Sequence, residues 1–177
     1  MDDGGRRLLG SGFPGDLGAA DPALERALAD YHRAPGADAH ARVVAALASA
    51  RLLVPVVAVL GESEVDAAGL VSDKSSEMAA VLLTGRDGRR ALLAFSGMTP
   101  LRAWRADARP VPVTARDAAR SALQEGADAL VVDVAGPALL VVERADLEGL
   151  ARDWQVAWMD GSAVWLAPDD SESGNES

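Results

Sequence analysis

The two histidines of the chain could serve as metal ligands if their spacing brought them together. His32 and His40 flank Pro35-Gly36, a break between two helical patterns, so they could face each other and share a metal ion with Asp30 or Asp38. The alternative places both on the surface at helix ends, His32 near a C-terminus that favours positive charge. Two imidazoles at this spacing are weak evidence for a metal site, and we expect no metal and no cofactor.

A second candidate for metal chemistry is an acidic stretch over residues 61–76. Glu62, Glu64 and Asp66 alternate within it, and their oxygens are of the type that Ca²⁺ and Mg²⁺ prefer. The stretch lacks the turn glycine and the distal glutamate of an EF-hand loop. We interpret it as a solvated acidic loop.

Lys74 is the only lysine among the 17 basic residues. An ammonium differs from a guanidinium in geometry, hydration and readiness to lose a proton, so this lysine is a candidate ligand or partner contact. The alternative is an exposed side chain paired with Asp73 or Glu77. One hypothesis places Lys74 in a pocket between the 61–76 loop and residues 96–105.

A cluster of basic and aromatic residues is the candidate protein-binding surface. It consists of Arg102, Trp104, Arg105 and Arg109, and tryptophan and arginine are the residue types enriched at binding hot spots. The alternative is a tryptophan buried in the core with solvated arginines around it.

Three further tryptophans lie near the C-terminal end, at positions 154, 158 and 165. They could form an exposed aromatic surface for a partner. The preferred interpretation is that Trp158 and Trp165 pair across a hairpin and cap the core.

Several classes of chemistry are excluded by what the sequence lacks. There is no cysteine, which excludes thiol catalysis, disulfides and cysteine-ligated metals. No glycine-rich phosphate loop and no GxSxG serine turn occurs. A net charge of −10 disfavours nucleic acid as a partner. These absences favour a protein without catalytic activity.

The elements that must position these residues alternate between helices and strands. Apolar residues at helical spacing over 22–33 and 38–50 predict a helical hairpin, the second helix capped by Asp38. Residues 52–60 form an apolar run typical of a buried strand, with Pro55 expected at its start or at a sheet edge.

Two dipeptides, Asp87-Gly88 and Asp160-Gly161, separate strand-like stretches and predict two-residue hairpin turns. A helix capped by Thr114 and a short one around Leu147 are also expected. The predicted fold is α+β: a single domain with a mixed β-sheet, antiparallel hairpins and packed helices, preceded by the helical hairpin.

The ends of the chain differ from its body. Residues 1–20 are rich in glycine and predict a flexible arm, residues 21–168 form the domain, and residues 169–177 carry four acids and no base, as expected of a disordered acidic tail. No apolar run reaches the length of a membrane span. We therefore expect a cytoplasmic protein with no membrane contact.

With these segments in order, the chain resembles the SseB family, bacterial proteins named for enhanced serine sensitivity, in the version common to actinobacteria. The resemblance is carried by Phe13-Pro14-Gly15-Asp16, Leu53-Val54-Pro55-Val56, residues 73–79, residues 87–95, Leu101-Arg102-Ala103-Trp104, residues 108–112 and residues 126–133. It implies an α+β domain of the bacterial cytoplasm, of the N-terminal-domain type, and brings no catalytic residues with it.

Two functions follow as hypotheses. The first is a non-catalytic module that binds a protein partner or regulates one, through Arg102, Trp104, Arg105 and Arg109. The alternative is a small-molecule sensor or enzyme whose pocket contains Lys74. The sequence does not determine the oligomeric state.

Overall fold

The computed structural model describes residues 13–60 and 76–168 of the chain. Helices and strands interleave in this part, which confirms the predicted α+β class. In chain order they are α1 (Pro22–Arg33), α2 (Ala37–Ser49), β1 (Arg51–Leu60), β2 (Ser76–Ala80), β3 (Leu82–Thr84), β4 (Arg90–Ala94), α3 (Met98–Trp104), β5 (Arg109–Thr114), α4 (Ala115–Gln124), β6 (Ala129–Val132), β7 (Leu140–Glu143), α5 (Arg144–Ala151), β8 (Gln155–Met159) and β9 (Ser162–Leu166).

The first two helices form the predicted helical hairpin. The carboxylate of Asp21 accepts hydrogen bonds from the backbone N–H groups of Ala23 and Leu24, which α1 would otherwise leave without partners. The predicted cap of α2 at Asp38 is wrong. Gly36 occupies the N-cap without a side-chain bond, because the chain enters the helix earlier and leaves Asp38 in the first turn.

Three antiparallel strands form the first sheet, in the order β2-β1-β5. Pro55 lies in the central strand β1, so the prediction of a strand start or a sheet edge is wrong. Its carbonyl accepts a hydrogen bond from Val81, just past the end of the β1–β2 pairing at Val56 and Ala80. The proline nitrogen faces the same side. No donor is needed there, because the Val81 carbonyl accepts from Leu93 instead.

Two prolines lie on the outer edge of this sheet. Pro110 and Pro112 of β5 stand opposite Pro55 and Leu53 of β1. Leu53 directs its backbone N–H and C=O away from β5, toward Phe95. By the alternation of a strand, both β5 proline nitrogens therefore point outward, and the pairing with β1 loses no hydrogen bond.

The second sheet, in the order β3-β4-β6-β7, brings two parallel strands side by side. β4 and β6 are parallel, and the other pairs of this sheet are antiparallel. Successive side chains of β4 are buried on opposite faces. Leu92 and Ala94 belong to the main core with the helices α1, α2, α4 and α5, whereas Leu93 and Phe95 pack in a smaller cluster with Leu101 of α3. The strand is covered on both sides.

The turn between β3 and β4 differs from its prediction by one residue. The N–H of Gly85 donates to the carbonyl of Arg89, so Arg86, Asp87 and Gly88 form a three-residue loop. Gly88 has a φ of 82°, the left-handed conformation that such loops place at their last position. The predicted two-residue turn is wrong. Asp-Gly fits the last two positions of a three-residue loop as well as the two positions of a two-residue turn, so the dipeptide does not distinguish them.

The β8–β9 hairpin has the predicted two-residue turn at Asp160-Gly161, where both residues have positive φ. Trp158 stands opposite Ala163, and Trp165 stands opposite Val156. The predicted direct pairing of the two tryptophans is therefore wrong, because the register offsets them by two residues. Trp158 is 45% exposed, whereas Trp165 packs on the main core.

Trp165 rests directly on α5. A Cβ added at Gly149 would lie 2.5 Å from the indole ring, so glycine is what permits this contact. The indole N–H donates to Asp146 Oδ1 at 3.0 Å, and Asp146 Oδ2 lies 2.9 Å from His40 Nε2. One carboxylate thus joins α2, α5 and the hairpin.

Candidate functional site

The candidate site lies where the parallel strands β4 and β6 end. Carboxyl ends of parallel strands meet at one edge of a sheet, and ligands of open α/β sheets bind there. Ser96 lies just beyond β4, and Asp133 follows β6 directly. Asp133 Oδ1 accepts a hydrogen bond from the Ser96 N–H at 2.8 Å, and Oδ2 accepts one from the Ser96 hydroxyl at 2.6 Å. The carboxylate therefore ties the two strand ends together.

Asp133 has a backbone conformation that is uncommon for a residue with a side chain. Its φ is 57°, in the left-handed region that aspartate and asparagine tolerate better than most residues. Its carbonyl accepts a hydrogen bond from Gly136, and its N–H donates to Ala94. A Cβ on Gly136 would lie 3.1 Å from the Asp133 Cβ, so this turn is tight. The turn fixes the carboxylate beside Ser96.

The site is shielded from water. Ser96 and Asp133 are each 5% exposed. Burial raises the pKa of Asp133 above its ordinary value, and the two hydrogen bonds from Ser96 oppose this effect in part. The carboxylate is therefore ionised at neutral pH only at a cost in folding free energy.

Replacing Asp133 by asparagine should change the pH dependence of stability more than the fold. Asparagine can still accept the Ser96 N–H and tolerates the left-handed backbone. Because the pKa of Asp133 is higher in the folded state than the unfolded value of about 3.9, its protonation stabilises the fold fully below the unfolded pKa. This stabilisation is lost as pH rises through the folded pKa.

Urea unfolding from roughly pH 3 to pH 8 measures this effect. The wild-type protein should lose stability relative to Asp133→Asn as pH rises through that window. A stability difference that stays constant with pH would contradict a buried ionising group at this position.

Residues 13–20, within the stretch predicted to be a flexible arm, are bonded to the domain beside this pair. Arg51 Nε lies 2.6 Å from Asp16 Oδ2. The same guanidinium donates hydrogen bonds to the carbonyls of Ala19 and Ser96. The side chains of Arg51 and Asp16 are 11% and 16% exposed, so the ion pair is largely shielded. Arg51 thus fastens the segment to the loop that follows β4.

A second contact holds the same segment. The N–H of Met98 donates to the carbonyl of Gly18 at 2.8 Å. A Cβ on Gly97 would lie 2.9 Å from the nitrogen of Ala20 and 3.0 Å from the oxygen of Gly18. Glycine at position 97 therefore lets the two backbones approach.

A cavity of about 860 Å³ opens between this segment, α1 and the two strand ends. This volume is within the range of small-molecule sites. Ser96 and Asp133 contribute to its wall, together with apolar side chains such as Leu28, Met98 and Pro137. Its charged lining residues on α1 are Glu25, His32 and Arg33. The cavity combines an apolar wall with a few polar groups, as binding pockets do.

The predicted pocket around Lys74 had two walls, the 61–76 loop and residues 96–105, and only the second can be compared with this cavity. Lys74 and the acidic residues Glu62, Glu64 and Asp66 lie outside the described residues. On the other side, residues of the predicted 96–105 wall do line the cavity, from Ser96 to Ala103. Its remaining walls come from α1, residues 18–20 and the turn after β6, which the sequence did not indicate.

The basic and aromatic cluster lies at a different place. Trp104 is half-buried, with its ring 5.5 Å from that of Phe95. The guanidinium of Arg105 lies 4.8 Å over the Trp104 ring. Arg102, Arg105 and Arg109 are exposed. Trp104 thus packs on the smaller core cluster, as the core interpretation predicts, while the arginines around it are exposed. That this cluster binds a protein stays a prediction.

The two histidines have different surroundings. His32 is exposed near the end of α1, whereas His40 is bonded to Asp146 and has its ring 5.8 Å from that of Tyr31. No group of three or more metal-ligating side chains is assembled within residues 13–60 and 76–168. In the same ranges no helix is long and apolar enough to cross a membrane.

The fold and its cavity define a class: an α+β domain with a pocket at the carboxyl ends of two parallel strands. Residues 24–149 match the family model of the SseB protein N-terminal domain, and the chain belongs to the SseB family. This range includes Ser96, Asp133 and α1 from Leu24 onward, but not residues 13–20. No curated protein and no solved structure matches the chain significantly.

Proposed function

We propose that this domain is a regulatory module that binds a small molecule in the cavity beyond β4 and β6. The observation that carries the proposal is the Ser96–Asp133 pair, buried in the wall of a cavity of about 860 Å³. A buried carboxyl group whose pKa is raised by desolvation, in the wall of a largely apolar pocket, is typical of binding and active sites.

The pair is better arranged for binding than for nucleophilic catalysis. A nucleophilic serine passes its proton to a base that is itself free to hand it on, most often a histidine. Here the Ser96 hydroxyl and N–H both donate to the same carboxylate, which is held in a tight turn. Such an arrangement fixes hydrogen-bond acceptors in place, and this supports a non-catalytic role.

A protein partner is the second candidate function. Arg105 over Trp104 borders a groove of about 360 Å³ that also includes Arg109 and apolar residues of β1. Arginine and tryptophan in this arrangement are frequent at binding hot spots. In this proposal the cluster binds an acidic segment of another protein.

A bulky residue at the mouth of the cavity tests the first proposal. Ala103 is exposed on α3 and lines the cavity, whereas Ala145 is exposed on α5 and does not. In a thermal-shift screen of metabolites, a ligand present at about 100 times its Kd should raise the Tm of the wild-type protein by roughly 5–10 °C. Ala103→Trp should abolish the shift, and Ala145→Trp should retain it.

Two results would contradict the cavity proposal. One is a screen in which no compound stabilises the wild-type protein. The other is a shift that survives in Ala103→Trp, which would place the ligand elsewhere. The first result would leave protein binding at the Arg105 groove as the better account.

A further inference from the structure

Within residues 13–57 and 79–168, Asp133 is the one buried carboxylate. A carboxylate keeps its charge in such a place only if hydrogen bonds or a cation compensate for the lost hydration. Among the described residues, Ser96 alone donates hydrogen bonds to Asp133, one from its N–H and one from its hydroxyl.

These two bonds do not use up the capacity of the group. An ionised carboxylate offers about four acceptor positions, so about two positions on Asp133 receive no hydrogen bond from residues 13–60 and 76–168. In the part of the chain that the structure describes, no basic side chain forms an ion pair with it. Arg51 reaches the carbonyl of Ser96 but directs its charge to Asp16.

A purely structural role would not require the charge. Asparagine tolerates the left-handed backbone at this position and can accept the Ser96 N–H, without the desolvation cost of an ionised group. Aspartate is therefore the more costly choice for a tie between two strand ends. Because Asp133 lies in the wall of the cavity, its negative charge could bind a cationic group of a ligand there.

We propose that the ligand of this cavity is a small molecule that carries a protonated amine on a compact apolar body, and that the ammonium group binds Asp133. This inference rests on the proposed function of the cavity. An ammonium group supplies three donors and a full positive charge, which match the open acceptor positions. The carbon body would contact Leu28, Met98 and Pro137, which line the same cavity.

The other charged lining residues fit this polarity. Glu25, which is also exposed, adds a second carboxylate to the wall. Arg33 is bonded to Asp30 at 2.9 Å on the exposed side of α1, so its charge is partly compensated. His32, also exposed, lies at the end of the same helix. Among the described residues that line the cavity, the charge that is shielded from water and has no ion-pair partner in the described ranges is therefore the negative one.

Two probes of the same shape separate charge from shape. Cyclohexylammonium and cyclohexanol differ in charge but present the same ring to the cavity. Their binding to the wild-type protein is measured by calorimetry at neutral pH, together with Asp133→Asn. The matched control is Asp160→Asn, the same substitution at another aspartate with positive φ, which lies in an exposed turn.

Cyclohexylammonium should bind the wild-type protein and Asp160→Asn alike, and Asp133→Asn about tenfold more weakly or worse. Cyclohexanol should bind the wild-type protein and Asp133→Asn equally. The inference is overturned if the amine binds Asp133→Asn as well as the wild-type protein, or if the amine binds the wild-type protein no better than the alcohol.

The design separates this inference from the proposed function. If neutral compounds bind the wild-type protein and lose binding in Ala103→Trp, while the amine binds the wild-type protein no better than the alcohol, the cavity is a binding site and the amine inference alone is wrong. If neither probe nor any metabolite binds, the proposed function fails with it.

Discussion

Replacing Gly149 by alanine is expected to destabilise the domain by about 2 kcal/mol, opposite in sign to the usual effect of this substitution within a helix. The added Cβ would lie 2.5 Å from the Trp165 ring. The ring cannot easily move away, because its N–H is bonded to Asp146, which is also bonded to His40. The Tm should fall by roughly 4–8 °C.

A second background shows whether the Trp165 ring is the cause. In Trp165→Val the space above Gly149 is open, so Gly149→Ala should there be neutral or stabilise the helix by up to about 1 kcal/mol. Denaturant unfolding of the four variants completes a double-mutant cycle. An equal loss in both backgrounds would show that the steric contact is not the cause.

Replacing Arg51 by methionine should cost about 2–3 kcal/mol of folding free energy. The substitution leaves the shielded carboxylate of Asp16 without its cation and the carbonyls of Ala19 and Ser96 without their donor. Residues 13–20 should then separate from the domain. Hydrogen exchange is expected to show faster exchange of the Gly18 and Met98 amides, and urea unfolding measures the loss of stability.

Arg33→Met is the matched control for this variant. Arg33 also forms an ion pair, with Asp30, but the two side chains are 74% and 68% exposed. Exposed pairs contribute little, so this substitution should change stability by less than about 0.5 kcal/mol. Similar losses in both variants, or unchanged exchange at Gly18 in Arg51→Met, would show that Arg51 does not hold the segment.

Local signals in the sequence are sufficient for most elements of the fold. Asp21-Pro22 marks the start of α1, Thr114 caps α4 through a bond from Asp117 N–H, and Asp160-Gly161 forms its two-residue turn. These features depend on residues close together in the chain. The predicted place of Pro55, at a strand start or a sheet edge, is wrong for a long-range reason. A central strand accepts this proline because the Val81 carbonyl, distant in sequence, receives its hydrogen bond from Leu93 and needs no donor from position 55.

The candidate site, in contrast, depends on the pairing of two strands that are distant in sequence. Ser96 and Asp133 are 37 positions apart, and they meet because β4 and β6 are parallel neighbours. The sequence carries one usable signal, a polar residue at or just past the end of each of two apolar strands. That signal becomes informative only when the strand order is known, since parallel and antiparallel neighbours bring different ends together.

The prolines of β5 also affect how the protein meets other chains. Exposed sheet edges act as templates for added strands, which leads to aggregation or to recognition of extended peptides. A strand approaching β5 from outside would find carbonyl oxygens of Pro110 and Pro112 but no N–H donors from either residue. Growth of the sheet past β5 is thereby opposed, and a partner that binds as an added strand must choose a different edge.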